Sequence, residues 1–293
     1  MPLIALLLGA SFWGTLWYPL RLLEAHGLEG LWATIIIYGV ATVVGVIGLA
    51  FVRGTSRGFR LHDALLLMLA SGWCNVAFII AVLEGHVLRV MLLFYLSPLW
   101  TVLLARLLLG EVLSLRAWLT MALAVTGALI MLWDPQSSVP WPSSVADWLA
   151  LSAGFAFALN NVTVRRLQHV SIWHKCLVAW SGVVVVAAAW ILLSQSEPPP
   201  LLDAVTLVEA VVLGLVGMVL MTFAVIYGVT HLPAYRAAVI MLFELVVAAI
   251  SSQWLTDESV RSAEWFGGAL ILLAAWYAAR SQAAQEEGRL IHP

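Results

Sequence analysis

The feature that most limits what this chain can become is its division into long apolar runs with short polar joins between them. The joins are explicit: GLEG before the second run, RGTSRGFR before the third, DPQSSVPWPSS before the sixth and SQSEPPP before the eighth. An apolar run of about 20 residues matches the hydrocarbon thickness of a bilayer as a helix, and a helix satisfies its own backbone hydrogen bonds there. Ten such spans fit, over residues 2–22, 31–52, 64–84, 88–109, 115–133, 145–166, 172–193, 205–229, 234–255 and 262–279. Composition agrees, since 63% hydrophobic and 10% charged residues leave too little polar surface to coat a soluble globule of 293 residues. The expected class is therefore an all-α polytopic membrane protein, with the lipid bilayer as its surroundings. Met1–Leu22 has neither a basic start nor a small-residue cleavage site, so it is expected to stay as the first span. A net charge of −2 gives no basic excess for nucleic acid. Cys74 and Cys176 both fall inside apolar runs, where neither a disulfide nor a metal cluster is expected.

Basic residues set the orientation, because cytoplasmic loops retain Lys and Arg. With the N-terminus inside, Arg53, Arg57, Arg60, Arg106, Arg116, Arg165, Arg166, Lys175, Arg236, Arg280 and Arg289 lie inside, and only Arg21, Arg89 and Arg261 lie outside. That is 11 against 3 of the 14 basic residues, so both termini are expected in the cytoplasm.

The chain also repeats itself. Arg89, Glu111, Trp118, Ala122 and Leu123 match Arg236, Glu258, Trp265, Ala269 and Leu270 at one constant offset. Weaker matches pair Leu6, Leu8, Ala10, Phe12 and Leu16 with Leu149, Leu151, Ala153, Phe155 and Leu159, and Trp32 with Trp173. Five spans per half is odd, so the second half must be inverted relative to the first, the arrangement of many secondary transporters. The expected units are a five-helix repeat over 1–133, an extracytoplasmic linker over 134–144, a second five-helix repeat over 145–280 and a cytoplasmic tail over 281–293.

In SPLWTVLLARLLLGE, Ser97, Pro98 and Glu111 give a small residue and a proline within a span and a glutamate at its exit; a fifth span then opens near Trp118. Together with ten spans in two halves, this pattern resembles the EamA-type members of the drug/metabolite transporter superfamily, and within them the bacterial aromatic amino acid exporter. The second half departs from the pattern, with Glu244 and Leu245 where the first has Ser97 and Pro98. The resemblance implies export of aromatic and other hydrophobic amino acids across the bacterial inner membrane without ATP. Consistently, no GxxxxGK[ST] motif occurs.

Candidate substrate-binding residues follow from polar and aromatic side chains at mid-span depth. Glu244 stands deep in an apolar span, where an acidic residue costs about 2.5–3.5 kcal/mol on insertion scales and is a functional candidate by default. It reads as a counter-ion for a substrate ammonium or as a proton carrier; the alternative is a neutral carboxyl bonded to a backbone carbonyl. Pro98 takes away the donor that the Phe94 carbonyl would normally receive, leaving that oxygen for a substrate ammonium or for a simple kink. Tyr95 and Ser97 face different sides, so at most one is central, and the repeat position shared with Glu244 favours Ser97. Ser71, Asn75 and Phe78 share one face of the third span, and Phe157, Asn160 and Asn161 cluster in the sixth. The amides suit the polar groups of an amino acid, and Phe78, Phe157 and Trp17 offer ring faces, although helix packing would also use such residues. Glu111 and Glu258 end their spans near water and read as caps or as packing at the membrane boundary. Gly214 and Gly217 read as sites of close helix packing or of bending during alternation. The histidines fall at span ends without metal-ligand spacing, and no cofactor is expected. A carrier of cationic drugs is the nearer rival reading. An intramembrane enzyme or lipid flippase is more distant, since no nucleophile, metal set or second carboxylate converges on Glu244. The sequence leaves the oligomeric state open, a monomer included.

Overall fold

The computed structural model describes residues 1–28, 30–51, 59–133, 142–195, 202–256 and 260–291, with side chains as far as residue 280. Arg53, Arg57, Asp134, Glu197, Glu258 and most of the 134–144 linker lie outside the described residues. Ten helical spans follow in order: α1 Pro2–Ala25, α2 Gly30–Leu49, α3 Leu61–Glu84, α4 Arg89–Leu109, α5 Leu115–Leu132, α6 Val145–Arg166, α7 Ile172–Ser194, α8 Ala204–His231, α9 Ala234–Leu255 and α10 Ser262–Ile291. Among the described residues, α1 to α9 are each long and apolar enough to cross a membrane. The ends are set by local chemistry. Ser114, Ser171 and Asp203 accept hydrogen bonds at the starts of α5, α7 and α8, and Ser144 with Asp147 forms a capping box on α6. Gly110, at φ 67°, closes α4 in the left-handed region.

Of the spans that run past their expected limits, two do so for a visible reason. α3 begins at Leu61 because Asp63 sits in its first turn and pairs with Arg166. α10 continues to Ile291 instead of ending at 279. Its last turns are polar but rich in Ala, Gln, Glu and Arg, which favour helix without favouring lipid.

Packing reproduces the repeat. Exchanging the halves turns α1 into α6, α2 into α7 and so on, and the main helix contacts map onto one another under that exchange. The α3–α6 contact mirrors α8–α1, α4–α6 mirrors α9–α1, and α3–α7 mirrors α8–α2, while α2–α7, α4–α9 and α5–α10 are their own images. The chain is thus two inverted five-helix repeats that interlock, since each of these contacts joins one half to the other. Where α5 crosses α10, a Cβ on Gly127 would stand 2.6 Å from the Gly267 oxygen and one on Gly267 2.5 Å from the Gly127 oxygen, so only glycine lets the two backbones approach this closely.

Several helices near the centre are interrupted. α1 breaks at Leu16, where Pro19 gives the Thr15 carbonyl no i+4 donor. α4 breaks between Phe94 and Ser97 for the same reason at Pro98. α9 breaks at Leu242 without any proline: the Leu245 N–H donates to Leu242 O at 3.1 Å, a tighter i−3 bond. α8 widens into a π segment over Leu213–Met218. Its Gly214 lies against α2, where a Cβ would be 2.7 Å from Ile37 O.

Candidate functional site

The interrupted helices enclose a cavity of about 240 Å³. Trp13, Leu16, Trp17 and Leu20 of α1 form one wall, a helical stripe that passes through the break. α3 contributes Ser71, Cys74, Asn75 and Phe78; α4 contributes Met91, Phe94 and Tyr95; α6 contributes Phe157, Asn160 and Asn161. The far side is made by Thr222, Val225 and Ile226 of α8 and by Met241 and Glu244 of α9. Tyr38 of α2 and Ala179 and Trp180 of α7 complete the lining.

Phe94 is the centre of an aromatic group, with ring centroids 4.7 Å from Phe78, 5.4 Å from Tyr95 and 5.5 Å from Phe157, all tilted or edge-on. Asn75 is fixed from both sides: the Tyr38 hydroxyl donates to its Oδ1 at 2.7 Å, and its Nδ2 donates to Ser71 O at 3.0 Å. Trp17 Nε1 donates to Ser251 Oγ at 3.0 Å, tying the lower segment of α1 to α9. Asn160 Oδ1 and Trp180 Nε1 are buried with no hydrogen-bond partner, an acceptor and a donor left over in the residues that line the cavity.

Glu244 occupies the first turn of the α9 segment that begins after the break, is 9% exposed, and meets the Tyr95 hydroxyl in a hydrogen bond, with Cys74 nearby. The position is where a helix favours a negative charge, because its unpaired N–H groups and dipole point there. A carboxylate held in this way can receive an ammonium or a proton. Gly14 of α1 makes room for the break, since a Cβ there would be 2.5 Å from Glu244 O.

Of the residues expected from the sequence, Trp17, Asn75, Phe78, Phe94, Tyr95, Phe157, Asn160, Asn161 and Glu244 all line this one cavity. Ser97 and Pro98 do not. Ser97 is buried and its carbonyl accepts from Thr101 Oγ1 at 2.9 Å, so between the two neighbours of Leu96 it is Tyr95 that faces the cavity. The Phe94 carbonyl is also turned away from the expected use: a Cβ on Gly154 would be 2.6 Å from it, so this oxygen lies against the backbone of α6. Phe94 reaches the cavity with its ring. Tyr38, Trp13 and Trp180 were not expected there. A hydroxyl-bearing ring at mid-span in α2 was the available signal for Tyr38; an indole in an apolar run carries no comparable mark.

Charged contacts lie at the two ends of the bundle. At one end Glu111 accepts from Arg165 Nε at 3.4 Å and from the Ala234 N–H at 3.0 Å, while Arg165 Nη1 donates to Thr230 O at 2.7 Å. Lys175, fully buried, donates to Val164 O, Leu167 O and, at 2.6 Å, Thr230 Oγ1, and Arg166 pairs with Asp63 at 2.8 Å. Glu111 therefore caps α9, as its position at a span's end suggested. At the other end Arg89 donates through Nε to both Asp147 oxygens, at 2.9 and 3.0 Å, and through Nη2 to Ser143 Oγ at 3.0 Å.

The match to known families accounts for this architecture. The family model described as EamA-like transporter family matches residues 1–133 and 144–280. The chain belongs to that family. It is a multi-pass membrane protein of the EamA-like transporters. A protein from Pseudomonas aeruginosa described as an uncharacterized transporter is 33% identical over 146 residues, which is 50% of this chain and 45% of that relative. The chain thus matches somewhat less than half the length of that relative. A solved crystal structure superposes with a TM-score of 0.76 over 95% of this chain and 98% of its own, at 16% identity, and so shows the same fold.

Proposed function

We propose that this EamA-like transporter is a secondary carrier that exports small amphipathic amines, a class that includes aromatic and other hydrophobic amino acids, across a bacterial inner membrane by alternating access. Both termini lie in the cytoplasm in this reading, by the distribution of basic residues. The observation that carries it is Glu244, one buried carboxylate set in a cavity otherwise lined mainly by aromatic and apolar groups, between helices that are broken at its level. Broken helices meeting at mid-depth between inverted repeats are where secondary carriers bind their cargo. The ring faces of Phe78, Phe94 and Phe157 suit an apolar body, and the carboxylate suits its ammonium. The charge cluster around Arg165 ties helix ends together on one side of the cavity, and the α1 stripe from Trp13 to Leu20 leads toward the other.

Purified protein in liposomes loaded with labelled phenylalanine tests the reading through counterflow. Flux without chemical conversion is expected. Glu244→Gln keeps the volume and removes the charge, so apparent affinity for amines should fall by about 10- to 100-fold, the range expected for a buried charge that loses its partner. Uncharged competitors should be little affected. A monodisperse Glu244→Gln protein with unchanged affinity for every substrate would remove Glu244 from the site.

A further inference from the structure

We infer that, within the amines just proposed, the site is built for cations that carry no carboxylate, so an arylalkylamine or an esterified amino acid is preferred over the free amino acid. The inference rests on the carrier reading of this cavity and concerns only the charge of its cargo.

Among the described residues, Glu244 is the only Asp, Glu, Lys, Arg or His in the cavity lining. A zwitterion needs a partner for each end, because a buried charge without one is costly. Three sources could supply a partner for a substrate carboxylate; the first two are already used and the third is neutral. The first is a basic side chain. Lys175 Nζ is taken by Val164 O, Leu167 O and Thr230 Oγ1, Arg165 by Glu111 and Thr230 O, and Arg89 by Asp147 and Ser143, all outside the lining. The second is the start of a half-helix, which in carriers with broken helices points its N–H groups at an anionic substrate group. In α4 that start is Ser97 and Pro98: proline has no N–H, Leu99 N–H donates to Leu96 O at 3.0 Å, and neither Ser97 nor Pro98 reaches the cavity. In α9 the start is held by Glu244 itself, and Leu245 N–H donates to Leu242 O. A second carboxylate brought there would meet a like charge. The third is the neutral donors. Asn75 already gives one N–H to Ser71 O and Asn160 one to Asn161 Oδ1, and what these amides, Asn161 and the Trp180 N–H still offer is uncharged. Neutral donors of this kind hold a carboxylate less strongly than charged ones.

The same features suit a cation. Glu244 supplies the charge, the hydroxyl of Tyr95 faces it, and the rings around Phe94 accept an apolar or aromatic body.

The test is displacement of tritiated 2-phenylethylamine from the purified full chain by four matched compounds: 2-phenylethylamine, phenylalanine methyl ester, phenylalanine and 3-phenylpropionate. The amine and the ester should displace at similar concentrations, phenylalanine should require about 10- to 100-fold more, the range for one unpaired buried charge, and phenylpropionate should be weakest. In Glu244→Gln the gap between amine and phenylalanine should shrink, while Glu244→Asp should retain it. Phenylalanine displacing as well as its ester or better would overturn the inference and leave the amine carrier standing. Absence of saturable amine binding to folded, monodisperse protein would overturn both. A gap that survives unchanged in Glu244→Gln would also sink it, because the discrimination would then come from some other group.

Discussion

Replacing Glu111 by glutamine asks whether the cluster at the Arg165 end is what keeps the cavity closed there. The Glu111 carboxylate reaches across from the end of α4 to the first N–H of α9, at 3.0 Å, and also holds Arg165, whose Nη1 reaches the last turn of α8 at Thr230 O. Opening that end separates α4 from α9 and α6 from α8, so both reaches must break. Glutamine still offers an oxygen to Ala234, but a neutral one; converting a charge-assisted bond to a neutral bond costs about 1 kcal/mol. The Arg165 pair is lost as well. With side chains 21% and 24% exposed and 3.4 Å between nitrogen and oxygen, that pair contributes about 0.2–1 kcal/mol after screening. That pair joins α4 to α6 and is not broken by opening, so the bond to Ala234 sets the effect: about 1 kcal/mol, which shifts the balance of closed and open states by about 5-fold. A cysteine introduced by Thr222→Cys in the cavity wall reports this, in a chain whose buried Cys74 and Cys176 have been changed to alanine. Its reaction with an impermeant maleimide added from the Arg165 side should accelerate by about that factor in Glu111→Gln. An unchanged rate in monodisperse protein would show that the cluster holds the helix ends without setting the access state.

Two further outcomes follow from the geometry. A cysteine from Glu84→Cys, at the exposed end of α3, should react with an impermeant reagent on intact cells, whereas one from His169→Cys should react only in inverted vesicles; the reverse pattern would overturn the proposed orientation. Gly154→Ala places a methyl group 2.6 Å from the Phe94 oxygen, which costs about 1–3 kcal/mol of overpacking, lowers the thermal midpoint, and weakens binding of aromatic amines through the displaced Phe94 ring; an unaltered midpoint would mean that α4 and α6 part here without strain.

Much of the fold was legible because lipid imposes length and the repeat imposes symmetry. Nine of the eleven expected site residues meet in one cavity because polar and aromatic side chains at mid-depth have few other places to go. The misplacements are equally physical. Pro98 signals a break in α4 correctly, but a missing N–H says nothing about which way the freed carbonyl turns, and packing turned it onto Gly154. The break in α9 had no signal of its own, since Leu245 carries an N–H and simply bonds one residue closer. Trp180 could not be assigned because lipid and protein interior are both apolar, so a helix greasy on all sides does not announce which side faces inward.

The breaks and the charged contacts together say which parts of the molecule move as units. α6 is fastened to first-half helices along its whole length: Arg89 to Asp147 at one end, Trp73 Nε1 to Ser152 Oγ at 3.1 Å in the middle, and Asp63 to Arg166 with Glu111 to Arg165 at the other end. α3, α4 and α6 therefore form one unit. Its image under the repeat is α8, α9 and α1, joined by Trp17 to Ser251, by Ser251 Oγ to Gly14 O, and by His26 to Glu209. Each unit borrows one helix from the other half of the sequence, so a rigid-body motion of the two sequence halves would have to break the contacts within both units. Motion of the interleaved units instead breaks only what joins them. Glu111 to Ala234 and Arg165 to Thr230 join them at the Arg165 end, and Tyr95 meets Glu244 between them at the cavity. The Arg89–Asp147 pair, at the opposite end, is internal to one unit. In the export proposed above, a cavity fastened across its units at the Arg165 end is set to release cargo toward the Arg89 side, and the contacts around Glu111 are among those that a turnover would break and remake.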